Sequence, residues 1–128
     1  MTAPSLHAAL RAGAEGLYAL EAGTGLIIAH GSWPARGDFG RFIHIVDSIT
    51  APGTELASID WEAAITALDA GGFPSSSGEK RMLRLAASLA GDIPVRLGDA
   101  ITGIDDRNVS LLIKAVLHAS GRRQFPIS

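Results

Sequence analysis

Leu6, Leu10, Gly13, Leu17 and Leu20 recur at spacings of 4, 3, 4 and 3, with Arg11, Glu15, Tyr18 and Glu21 on the other side. That period predicts one amphipathic helix beginning just after Pro4, a residue tolerated in a first turn. Gly13 lies on its apolar seam, where a missing side chain lets another helix approach closely. Gly23-Thr24-Gly25 predicts a bend or an end to this helix. Leu26–Ala29 then reads as a short buried segment, closed by Gly31 and Pro34.

Asp38 is placed to cap a second helix carrying Phe39, Phe42, Ile43 and Val46 on one face. The β-branched run Ile43-His44-Ile45-Val46 is also compatible with a strand. Helix is preferred, because the pattern offers no second convincing strand to pair with it. Ala51-Pro52-Gly53 breaks the chain. Asp60 caps a third helix whose apolar set is Trp61, Ala64, Ile65 and Leu68, and Gly71-Gly72 ends it as Gly does at a helix C-terminus.

Residues 72–78 form the one linker-like stretch, dividing a front half from a back half. Ser76 and Glu79 have capping-box spacing. The helix that follows buries Met82, Leu85, Ala86 and Leu89, with Arg81, Arg84 and Ser88 opposite, and stops at Gly91. Residues 97–102 suit a short connector helix. Asp105 or Asp106 caps a last helix with Val109, Leu112, Ile113 and Val116 inward and Arg107, Ser110, Lys114 and His118 outward. Gly121 terminates it, and Arg122-Arg123 follow, where positive charge suits a helix C-terminus. The predicted fold is all-α: a compact bundle of five to six helices in a single domain, 1–128, its halves packed together across 72–78.

Composition narrows the chemistry more than the architecture. With 128 residues and 47% apolar content the chain can bury one core without staples. No cysteine is present, which excludes disulfides, thiol catalysis and thiolate metal sites. A net charge of -2 gives no global attraction to phosphate backbones, although a local basic patch is compatible with it. Met1-Thr-Ala-Pro-Ser-Leu6 lacks the basic and apolar regions of a signal peptide, and the longest apolar run is far too short to span a bilayer. A cytoplasmic protein without a membrane partner is expected. His7, His30, His44 and His118 lie far apart with no metal-ligand spacing, so neither a metal nor a cofactor is expected. His30-Gly31-Ser32 pairs a base with a hydroxyl, but no nucleophile elbow or oxyanion loop accompanies it. Arg36-Gly37-Asp38 spells an adhesion tripeptide, in which Asp38 serves better as a helix cap. Trp33 and Trp61 suit core or interface anchoring.

Three resemblances add to this reading. Ser76-Ser77-Gly78-Glu79-Lys80-Arg81 and the Ala/Leu-rich run to Ala90 resemble the signature loop and helix of ABC-type ATPases, and Gly98–Asp105 is similar to that family's Walker B and D-loop run. The resemblance implies contact between Ser76, Gly78 and a γ-phosphate held by a partner subunit. The chain departs from the family in lacking a G-x-x-x-x-G-K-[ST] loop, in placing Gly98 at the Walker B acid, and in Arg96 within the expected apolar strand. Gly103–Leu112 resembles the turn and second helix of helix-turn-helix repressors. This resemblance implies a recognition helix over 105–119, with Arg107, Asn108, Ser110 and Lys114 toward the major groove and Arg122 and Arg123 on phosphate. Asp99 stands where that family has a small residue, and Asp105 and Asp106 would face DNA phosphates with like charge. The back two thirds, including residues 61–90, resemble small proteins of high-GC Gram-positive bacteria without an assigned activity, which implies no active residues.

Apolar helix faces are plentiful, and no polar set converges for chemistry. The expected function is therefore a non-enzymatic protein-interaction module that self-associates, with Gly13 and Leu111, an extra apolar residue outside the last helix's main stripe, as candidate contacts. A helix-turn-helix DNA-binding protein is the alternative, and a degenerate ABC-type ATPase relative the third reading.

Overall fold

The computed structural model describes residues 2–122. Among them the fold is mostly helical, with six α-helices and one small two-stranded sheet: α1 (Ala3–Ala14), α2 (Tyr18–His30), β1 (Ile43–Asp47), β2 (Glu55–Ile59), α3 (Trp61–Asp69), α4 (Ser77–Gly91), α5 (Leu97–Ile101) and α6 (Asp106–Ala119). No helix is long and apolar enough to cross a membrane.

The first predicted helix is in fact two. α1 ends before Gly16, whose φ of 105° is a left-handed conformation that a side chain resists. The Gly16 N–H then donates to the Glu21 carboxylate at 2.9 Å, across the start of α2. Contrary to expectation, α2 runs straight through Gly23-Thr24-Gly25 and takes in Leu26–Ala29. Gly23 is there for proximity. A Cβ built on it would lie 2.5 Å from the Ala86 carbonyl oxygen and 2.5 Å from the Ala90 Cβ. Tertiary packing against α4 therefore outweighs the intrinsic helix-breaking tendency of glycine.

The all-α expectation fails at residues 38–47. Asp38 caps nothing; its carboxylate accepts two hydrogen bonds from Arg36 at 2.8 and 2.7 Å. Gly40–Phe42 makes one 3₁₀ turn, and Ile43–Asp47 becomes β1. It pairs antiparallel with β2 in the register Ile43↔Ile59 to Asp47↔Glu55. The partner strand is hard to see in sequence because Glu55-Leu56-Ala57-Ser58-Ile59 holds a single β-branched residue. Its inward residues are the small Ala57 and Ile59, which lie buried. The α1 backbone comes close here: a side chain on Gly13 would overlap the carbonyl oxygen of Ala57. The close approach expected of Gly13 is thus made to β2 of the same chain.

α3 and α4 follow their patterns closely. Asp60 accepts from the Ala63 N–H at 3.1 Å and caps α3, whose Trp61, Ala64, Ile65 and Leu68 are all buried. Ser76 and Glu79 form the reciprocal capping box of α4. Met82, Leu83, Leu85, Ala86 and Ala87 make α4 the most deeply buried helix of the back half. Residues 72–78 are not a free linker. Phe73 is buried, Arg36 donates to the Pro74 carbonyl at 2.9 Å, and the Ser75 hydroxyl donates to the Phe73 carbonyl. Trp33, Phe39, Phe42 and Phe73 form an aromatic knot with ring centroids 5.2 to 6.1 Å apart, and the Trp33 indole N–H donates to the Glu79 carbonyl at 2.9 Å. One hydrophobic cluster draws on both halves, from Ala9 to Ala115.

The α2–α4 approach makes a clear prediction. Gly23→Ala adds a methyl group that must push the two helices apart, at a cost of about 1–3 kcal/mol. Ser76→Ala removes a cap only, at a cost of about 1 kcal/mol. Urea unfolding followed by circular dichroism measures both; an unchanged midpoint for Gly23→Ala would contradict the close contact.

Candidate binding groove and the three faces of the last helix

The last helix sits in a rotation that its pattern does not foretell. Its N-terminus is as expected, with Asp105 accepting from the Asn108 N–H at 2.8 Å. Val109, Ile113 and Val116, however, point to solvent, with 38, 36 and 52% of their surfaces exposed. Asn108 and Ala115 are buried instead, and Leu111, Leu112 and Ala119 are partly buried against the core.

Two contacts explain this orientation. Ala115 is small enough to bring α6 close to α2, which a Val/Ile seam would hold further away. Arg107 donates to the Ala29 and His30 carbonyls at 2.9 and 3.3 Å, satisfying acceptors left open at the C-terminus of α2. Both interactions place the Asn108–Ala115 side of α6 on α2. The main apolar stripe is left roughly a quarter-turn away.

This arrangement separates the residues assigned to the helix-turn-helix reading. Asn108 is buried, and Arg107, although exposed, is engaged with the α2 carbonyls. Ser110, Lys114 and Arg122 are exposed, and Arg123 lies outside the described residues. The expected first helix of that motif, α5, has only five residues. The stretch that resembles the ATPase signature is the capped start of α4. The stretch likened to Walker B is α5 and the following turn rather than a strand; Arg81 of α4 donates to the Thr102 carbonyl there.

On the other flank of α6 lies a groove of about 530 Å³ between α1, α2 and α6. Leu111, expected as a partner contact, lines it, as does Lys114. Its floor is apolar and mostly buried: Ala14, Ala22, Leu26 and Ala115, with the buried Thr24 among them. Arg11, Glu15, Glu21 and His118 complete its rim. Two rim residues are already partnered. The His118 imidazole Nε2 and the Glu21 carboxylate are 2.7 Å apart, and Tyr18 packs edge-on against the His118 ring. The Gly16 amide, and then His118, hold the Glu21 carboxyl below its ordinary value of 4.5. The sequence gives no hint of this pair, since its members lie 97 residues apart.

The Nδ1 of the half-buried His30 is the one buried side-chain polar atom without a hydrogen-bond partner among the described residues. Burial, and then the neighbouring Arg107 charge, push its pKa below the ordinary 6.5, so the ring favours the neutral form. The nearby Glu79 carboxylate accepts from the Ser76 N–H of the capping box at 3.1 Å, and Ser76, then Ser32, hold its carboxyl below the ordinary value.

The Glu21 shift fixes the sign of a pH effect. Because the folded pKa is lowered, the stabilisation is complete above the unfolded value and is lost as pH falls through the folded one. Wild-type melting temperature should therefore fall on acidification below about pH 4.5 more steeply than that of Glu21→Gln, measured by differential scanning calorimetry from pH 6 to 3. Parallel curves would show that the carboxylate contributes nothing. No protein-family model, no curated protein and no solved structure matches this chain, so the roles of its groove and exposed stripe rest on their own chemistry.

Proposed function

We propose that the protein is a non-enzymatic interaction module that pairs with a second copy of itself through α5 and α6. The observation that carries this reading is the outward stripe Val109, Ile113 and Val116; Leu97 and Ile101 of the preceding α5 are also 57 and 41% exposed. Two consecutive elements linked by a four-residue turn thus present five large apolar side chains to water. Single exposed apolar residues are ordinary on protein surfaces, whereas a group of them on one helical face marks an interaction site.

A second copy is favoured over another partner by the charge distribution along α6. Asp105 and Asp106 stand at its N-terminal end, while Arg122 stands just past its C-terminal end. Two such helices crossing antiparallel about a two-fold axis bring each acidic end toward a basic end and lay stripe on stripe. Leu97 and Ile101 would flank that seam.

Substituting one stripe residue removes its burial twice in an isologous dimer. Ile113→Glu should raise the dimer dissociation constant by about a hundredfold or more, taking ~1.5 kcal/mol for each lost apolar contact. Sedimentation velocity over a range of concentrations measures this. A wild-type protein that stays monomeric at several hundred micromolar would end the proposal, as would a dimer that Ile113→Glu and Val116→Glu leave intact.

A further inference from the structure

We infer that the groove between α1, α2 and α6 is a binding site for an amphipathic monocarboxylate, a small acid with a flexible apolar body. The inference is independent of the proposed dimer, which uses the opposite flank of α6.

Gly25 is the starting point. Glycine inside a helix is unfavourable relative to alanine, and a structural need normally accounts for it. Gly23, two residues before, has such a need in the α4 backbone. Gly25 has none: a Cβ built on it meets no atom within 4 Å, and its φ is not in the left-handed region. Yet Gly25 lines the groove. The open space that a side chain would occupy adjoins the groove, and the missing side chain leaves that space clear.

The other walls supply the two halves of an amphiphile's chemistry. Ala22, Leu26, Leu111 and Ala115 offer small or aliphatic surface to an apolar body. The volume, about 530 Å³, falls within the range in which small-molecule sites bury most of their ligand. Thr24, itself 4% exposed, lines the same groove. At the rim, Arg11 and Lys114 come from two different helices, and among the described residues neither forms an ion pair. Glu15 is the carboxylate at this rim that opposes them; Glu21 is held by Gly16 and His118. The rim thus offers a ligand carboxylate a cation outside any ion pair among the described residues, Arg11 or Lys114, while the tail lies over the alanines.

Sodium decanoate is a suitable probe, with 1-decanol as its uncharged counterpart, followed by ¹⁵N–¹H correlation spectra of the full chain. Decanoate should give saturable shifts at Thr24, Gly25, Leu111 and Ala115, and decanol should bind at least tenfold more weakly. Lys114→Met, which keeps the aliphatic stem and drops the charge, should remove most of that difference. Gly25→Leu should abolish binding, and Gly25→Ala should weaken it while leaving the melting temperature equal to or above wild type. The last pair separates a vacated ligand space from a merely tolerated glycine. Absence of saturable shifts at millimolar decanoate, shifts centred on Leu97, Ile101 and Val116, equal affinity for the alcohol, or undiminished binding by Gly25→Leu would each overturn the assignment.

Discussion

The backbones of α2 and α4 touch at Gly23, and most of the structure is arranged around that contact. It sets α2 so close to α4 that side chains on either side of the crossing become core: Leu26, Ile27 and Ile28 from one helix, and Met82, Leu83, Ala86 and Ala87 from the other. A helix apolar on nearly all sides needs covering on nearly all sides. α1 packs on α2 and carries β2, α3 packs along α4, and α6 closes the remaining side of α2. The aromatic knot around Trp33 then joins the end of α2 to the start of α4 through the Glu79 carbonyl, so the chain between these helices is held at both ends.

Local signals in the sequence are reliable wherever the determining partner is a few residues away. The caps at Asp60, Ser76 and Asp105 are intrachain hydrogen bonds across three residues, and the buried set of α3 follows from its own period. The errors fall where a distant partner decides. Gly23 reads as a helix end until Ala86 is beside it. Ile43–Asp47 reads as a helix because its partner strand is made of ordinary residues, and only pairing with Glu55–Ile59 gives its backbone groups their bonds. The candidate groove was legible only in fragments, as Leu111 and Lys114, since its remaining walls come from helices some ninety residues earlier in the chain. The exposed stripe was visible as a stripe, but its direction was not. A hydrophobic period identifies a face and leaves open what that face meets.

The two kinds of residue at the α2–α6 boundary also differ in how they hold. Ala115 and Leu111 supply non-directional contact, whereas Arg107 makes directed bonds to the last carbonyls of α2. Contact alone would tolerate several rotations of α6 about its axis. The guanidinium selects one, and in doing so divides the helix surface into a face for the core, a flank for the groove and a flank for solvent.

That division leaves α6 little room for neutral change. Nearly every one of its fourteen positions belongs to a cap, the α2 seam, the groove wall or the apolar stripe, and Ser110 stands as the clearest exception. Across related sequences, such a helix would accumulate substitutions more slowly than its exposure suggests. A surface position that refuses to vary there would mark an obligation to something outside the chain.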